Sequence, residues 1–170
     1  MQTAQRLILG IDPGSRCTGY GIIWVEGSRQ GLVHHGFIRC QQKSLGQRLH
    51  RIYQHLTEVI QQYQPHEAAI EQVFTFLNPQ AALKLGQARG AALTAVAQYA
   101  LSTAEYSARE IKKSVVGYGA AQKTQVQHMV RSLLKLTETP QADAADALAI
   151  ALCHANHRQL QQKLSKGIPQ

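Results

Sequence analysis

Four acidic side chains stand out in this sequence. It contains three aspartates, Asp12, Asp143 and Asp146. Asp12 follows the apolar run Leu7–Ile11 and opens Asp12-Pro13-Gly14, the pattern of a buried strand entering a turn. Glu71 lies among Ala68, Ala69, Ile70 and Val73, where an unpartnered carboxylate would be costly. Asp143 and Asp146 are three residues apart at the start of a helical stretch, so both carboxylates can face one site. The positive end of the helix dipole partly offsets their repulsion. Oxygen-only donors favour hard cations such as Mg²⁺ or Mn²⁺. No CxxC or HExxH pattern points to zinc. Taken singly, Asp-Pro-Gly is an ordinary turn and an Asp pair is ordinary dipole compensation. Glu71, inside an apolar strand, is the hardest to dismiss.

The charge balance indicates what such a site would act on. The chain has 170 residues, with 18 Lys and Arg against 10 Asp and Glu, a net charge of +8 and a pI near 9.7. Setting the four candidate acids aside leaves 18 basic residues against 6 acidic ones, a scaffold of +12. Between Glu110 and Glu138 there is no acid, only Lys112, Lys113, Lys123, Arg131 and Lys135. A basic surface around a few carboxylates suits a metal-dependent enzyme acting on phosphodiesters. Two ions about 4 Å apart can activate a water and stabilise the leaving oxygen in an in-line displacement. Hydrophobic residues at 44% and charged residues at 16% exclude a disordered chain or a coiled coil. Apolar runs are too short to span a bilayer, and Met1 to Arg6 lacks a signal-peptide pattern. Three scattered cysteines, Cys17, Cys40 and Cys153, fit a reducing compartment, so a cytoplasmic location away from membranes is expected.

The elements that must position these acids follow from periodicity. Strands are predicted at Leu7–Ile11, Thr18–Val25, Gly31–Cys40, Glu67–Val73 and Ser102–Tyr106. The short Glu26-Gly27-Ser28 link predicts an antiparallel meander. Ser44 caps a helix with an apolar stripe from Leu45 to Tyr63, ended by Pro65. Asn78-Pro79 starts an Ala-rich helix to about Tyr99, whose Gly86 and Gly90 suggest a close backbone approach and a dimer interface. Ser107 caps a short helix to about Val115. Further helices are predicted over Gln122–Leu136 and from Gln141 to about Gln159. This order predicts one α/β domain over residues 1–170, with a mixed five-stranded sheet flanked by helices. Residues 1–5 and those from about 161 are expected to be mobile. Cys153, His154 and His157 have metal-like helical spacing but read as structural, and His34-His35 reads as strand.

The motifs then match a known family. Leu9-Gly10-Ile11-Asp12-Pro13-Gly14-Ser15, Ile70-Glu71-Gln72-Val73-Phe74, Ala82-Leu83-Lys84-Leu85-Gly86-Gln87-Ala88-Arg89-Gly90 and Gln141-Ala142-Asp143-Ala144-Ala145-Asp146-Ala147-Leu148-Ala149 resemble the bacterial RuvC family of Holliday junction resolvases. The resemblance spans nearly the whole chain, in the same order. It implies a ribonuclease H-like fold, a homodimer, and paired symmetric nicks in four-way DNA during recombination and repair. It implies two Mg²⁺ per subunit, with Mn²⁺ able to substitute, and the RuvA–RuvB branch-migration complex as partner. Position by position, Asp12, Glu71, Asp143 and Asp146 would bind the metals and carry catalysis. Lys112 and Lys123 match lysines acting near the DNA backbone, with Lys113 beside them. Phe74 matches an aromatic at a loop tip that contacts bases. The Thr75-Phe76-Leu77 stretch departs from the family's more polar or basic sequence there. Two rival readings differ in kind. A kinase or ATPase of the actin-like superfamily also opens with Gly-Ile-Asp-x-Gly, but needs two lobes and a second Gly-rich loop. A junction-binding protein that does not cut would not need the complete carboxylate set.

Overall fold

A computed structural model describes residues 4–41, 44–73 and 78–166. Among the described residues the elements are β1 (Arg6–Asp12), β2 (Cys17–Glu26), β3 (Arg29–Arg39), α1 (Leu45–Tyr63), β4 (Glu67–Glu71), α2 (Pro79–Gln98), β5 (Ser102–Tyr106), α3 (Ala108–Val116), α4 (Lys123–Leu133) and α5 (Ala142–Lys166). The strands form one sheet in the order β3-β2-β1-β4-β5. β1, β2 and β3 pair antiparallel, and β4 and β5 join by parallel pairing. The architecture is therefore the mixed α/β sheet that the sequence predicts. Two residues connect β2 to β3, and Gly27 supplies the positive φ of 62° that this tight turn needs.

Local sequence explains the helix ends. The Ser44 side chain accepts from the Gln47 amide, and Asn78 accepts from Gln80 and Ala81 at the start of α2. Ser107 and Glu110 form a reciprocal capping box on α3. Several ends differ from the predicted ones by a residue or more. β4 stops at Glu71 rather than Val73, though the Gln72 amide still donates to the Tyr106 carbonyl. α4 stops at Leu133, because Lys135 turns to a φ of 53°. α5 runs on to Lys166, past the expected end near Gln159 and into the tail expected to be mobile.

The sheet separates two cores. Leu9, Ile11, Ile22, Ile38, Ala68 and Ile70 face α1 and α2. Ile8, Ile23, Val25 and Ala69 face α3, α4 and α5. α5 is apolar on every side between Ala147 and Cys153, as befits a helix buried all round. It lies unusually close to the sheet. A Cβ on Gly10 would stand 2.1 Å from the Ala147 carbonyl oxygen, and one on Gly19 would stand 1.9 Å from that of Asp143. A Cβ on Gly21 would meet the Leu148 side chain at 2.6 Å. Bare backbone on β1 and β2 thus receives the helix. The close approach that Gly86 and Gly90 suggest does not occur among the described residues, where a Cβ at either would meet nothing within 4 Å.

Gly19→Ala forces the new methyl against backbone, so it should cost about 3 kcal/mol, or about 6–12 °C in melting temperature. Gly46→Ala, where a Cβ meets open space at the start of α1, should change stability by less than about 1 kcal/mol. Thermal unfolding of both variants checks this; equal effects would contradict the close-packing account.

Candidate metal and nucleic-acid site

The strand period of two aims the first two acids. Asp12 has the parity of Ile8 and Gly10, and Glu71 has that of Ala69, so both face α5. The parallel register Ile11↔Ile70 brings the ends of β1 and β4 side by side. The turn after Asp12 is closed by the buried Thr18, whose hydroxyl donates to the Gly14 carbonyl at 3.1 Å and receives the Gly14 amide at 3.3 Å. Beyond Glu71, Arg89 Nε donates to the Glu71 carbonyl at 3.3 Å, and its Nη2 pairs with Glu105 at 2.6 Å. These contacts fix the strand ends from outside the site.

Asp12 and Glu71 share a hydrogen bond. Burial pushes the Asp12 carboxyl up to about 8, and the charges of Glu71, Asp146 and Asp143 add to it; Lys123 opposes them. Asp12 is therefore protonated at neutral pH and donates to Glu71. Burial also raises Glu71, followed by the charge of Asp146, against the Asp12 hydrogen bond and the charges of Lys112 and Lys123. The first turn of α5 brings the other two acids. Asp146 pairs with Lys123 Nζ at 2.7 Å. Asp143 Oδ2 accepts from Gln141 Nε2 at 2.7 Å. Burial, then the adjacent Asp143 carboxylate, holds the Cys17 thiol up at about 12, so it stays protonated.

The four carboxylates are thus within electrostatic reach of one another, yet each has a different partner. Among the described residues, no three His, Cys, Asp or Glu side chains converge tightly enough to grip an ion as they stand. Like charges gathered at low dielectric separate to whatever protons and donors are near. The donor set nonetheless fits a hard divalent cation. All four ligands are carboxylates, and an Asp12 carboxyl held protonated by neighbouring acids marks a place short of positive charge.

Clefts with basic walls adjoin the acids. One of 270 Å³ is lined by Glu71, Asp146, Lys112 and Lys123. A second, of 320 Å³, is lined by Asp12, Glu71 and Arg109. A third, of 510 Å³, runs from Asp143 past Cys17 to Arg16 and Lys84. Lys113 is exposed on α3 and does not line the first of these clefts. Phe74 lies outside the described residues, as does Thr75-Phe76-Leu77. Arg109, Arg16, Lys84, Cys17 and Gln141 are members of the site that the sequence reading missed. Lys84 and Gln141 lie within the quoted motifs and Arg16 directly follows one, but nothing in their spacing marks them. His154, read as structural, bonds to Tyr106 Oη at 2.8 Å and to Glu67 at 2.9 Å.

Comparison with known proteins agrees with this geometry. The family model for crossover junction endodeoxyribonuclease RuvC matches residues 8–154. The protein of that name from Coxiella burnetii (strain RSA 331 / Henzerling II) is 64% identical over 167 residues, covering 98% of this chain and 97% of the relative. Thermus thermophilus RuvC, solved in complex with Holliday junction substrate, superposes with a TM-score of 0.86 at 33% identity, covering 92% of this chain and 96% of that one. The yeast mitochondrial Holliday junction resolvase, at 12% identity and a TM-score of 0.66 over 94% of this chain and 83% of its own, shares the fold. The sheet and its helices are ribonuclease H-like, as the resemblance implies. A match that runs from the strand bearing Asp12 through the helix bearing Asp146 places the chain in the RuvC family of crossover junction endodeoxyribonucleases.

Proposed function

We propose that this chain resolves four-way DNA junctions by paired symmetric nicks, with Asp12, Glu71, Asp143 and Asp146 holding two Mg²⁺ per subunit. Mn²⁺ is able to substitute. The observation that carries this is the grouping of four carboxylates within electrostatic reach at one end of the α5–sheet contact, with Lys112 and Lys123 lining the cleft beside them. When bound, such ions supply Lewis-acid activation of the attacking water and charge stabilisation at the leaving oxygen. The chain's own residues do the rest. Asp12 and Glu71 give up the proton they share. Lys123 exchanges Asp146 for a phosphate, and Lys112 holds the strand beside it. Arg109 and the Arg16–Lys84 wall extend the cationic track on either side of the scissile position. Phe74 and Lys113 remain proposed DNA contacts.

Paired symmetric cuts need two sites related by a twofold axis, hence a homodimer. The outer face of α2 supports that arrangement. Leu83 is 64% exposed there, and Gly86 and Gly90 leave open space for another helix. Residues 1–170 act as one domain in the cytoplasm beside the RuvA–RuvB branch-migration complex; no described helix is long and apolar enough to cross a membrane.

Asp146→Asn should lower nicking of a synthetic four-way junction at least 100-fold while leaving gel-shift affinity within about threefold. Full cleavage by this variant in Mg²⁺ would remove Asp146 from the site. Lys123→Ala should weaken junction binding and reduce the slope of log K against log[salt] by about 1, which binding at several salt concentrations would reveal.

The raised Asp12 carboxyl sets a pH dependence. Cation binding displaces its proton, so affinity for Mn²⁺ should climb about tenfold per unit as pH rises toward 8, then level off. Calorimetry in buffers of different ionisation enthalpy counts the proton released. Without cation, a group whose folded value lies above its unfolded value near 3.8 costs stability as pH rises from that value to about 8. Asp12→Asn should therefore melt higher than the parent by several degrees at pH 9, the gap closing below pH 4.

A further inference from the structure

We infer that Gln141 is a positioning residue for the Asp143 carboxylate, an inference that rests on the metal-ligand reading of Asp143 given above. Gln141 is the residue just before α5 and its side chain does two things at once. Its Oε1 accepts from the Asp143 amide at 3.0 Å and from the Ala144 amide at 3.4 Å, satisfying two of the unpaired donors of the first turn. Its Nε2 donates to Asp143 Oδ2 at 2.7 Å. One amide group therefore ties the helix start to the side chain of the ligand that the helix presents.

This double contact removes a freedom that would matter at the site. Asp143 has two rotatable side-chain bonds, and the nearby acids repel it. Left alone, its carboxylate would turn outward to water. The amide of Gln141 holds one oxygen on the helix side, while Cys17 of β2 lines the same cleft as the carboxylate. A ligand held in advance loses less entropy on binding a cation. Partners of this kind, one bond removed from the ion, typically change metal affinity 10–100-fold when deleted. Gln is a poor helix cap by type, so the capping geometry alone does not account for a long amide at this position.

Capping and positioning can be separated. Gln141→Ser retains an oxygen suited to the first-turn amides but has no amide to donate to Asp143. Its melting temperature should stay within about 2 °C of the parent. Its affinity for Mn²⁺ alone, followed by loss of the free-ion electron paramagnetic resonance signal, should fall about tenfold. Junction cleavage by the full dimer should need correspondingly more Mg²⁺ but approach the parent rate at saturation. Gln141→Ser with parental Mn²⁺ affinity would overturn the inference. So would a loss of affinity seen only alongside an equal loss of folding, which Gln141→Ala, lacking cap and donor alike, serves to calibrate. Asp143→Asn is the control for the underlying reading. If that variant binds Mn²⁺ and cuts as the parent does, Asp143 is no ligand and the reading itself fails. If it fails to bind while Gln141→Ser binds normally, only the role of Gln141 is lost.

Discussion

The closeness of α5 to the sheet governs everything else in this molecule. A helix normally rides about 10 Å above a sheet on a layer of side chains. Here Gly10, Gly19 and Gly21 remove that layer under the first turns of the helix, and Ala144, Ala147 and Ala151 remove it from the helix itself. The two backbones then approach until carbonyl oxygens of Asp143 and Ala147 lie where a Cβ would be. Asp and Glu have short side chains. Only at this separation can acids on β1 and β4 share one electrostatic site with acids on α5. The glycines thus act through distance rather than through flexibility; none of the three adopts a positive φ.

That closeness has an electrostatic cost. Burial and three neighbouring acids hold Asp12 protonated at neutral pH, and Glu71 is raised with it. The fold offsets the cost locally. The side-chain amide of Gln141 donates to Asp143, Lys123 neutralises Asp146, and Arg89 braces the end of β4 by its backbone. None of these devices removes the deficit of positive charge; they make it tolerable until a cation arrives. A well-packed site with the same acids fully paired would be more stable and would have no use for an ion.

Much of this was legible in the sequence. The fold class followed from strand and helix periods together with Ser44, Asn78 and Ser107 as caps, all local signals that the structure repeats. Asp12, Glu71, Asp143 and Asp146 were legible because acid is scarce in this chain and two of them stand at strand ends. The less legible parts depend on tertiary contact. Gly86 and Gly90 have a small-residue pattern that implies close packing, yet it is Gly10, Gly19 and Gly21, embedded in strands, that pack closely. Strand glycines carry no periodic signal for what covers them. Arg109 reaches the site only because α3 follows a parallel strand, and Gln141 only because its amide folds back over its own helix. The end of α5 was missed because residues Gln161 to Lys166 are polar, and a long helix anchored by a buried middle continues past its apolar stripe.

The ion pair between Lys123 and Asp146 links the two ligands of the proposed reaction. With neither DNA nor cation present, the lysine and the carboxylate satisfy each other. A phosphate that draws Lys123 away leaves Asp146 without its counter-charge, close to Asp12 and Glu71, whose carboxyls are already raised. The site then favours a divalent ion more strongly than before. By the reciprocity of linked equilibria, an ion that takes Asp146 leaves Lys123 free for phosphate, and strengthens DNA binding by the same factor. Such coupling needs no movement of the backbone. It needs a cation and an anion on the protein that pair when idle and part when occupied, held at 2.7 Å by α4 on one side and α5 on the other. Because the exchange requires both ligands together, a chain carrying +8 can attract many polyanions and still assemble its full set of catalytic charges only where a phosphate lies against Lys123.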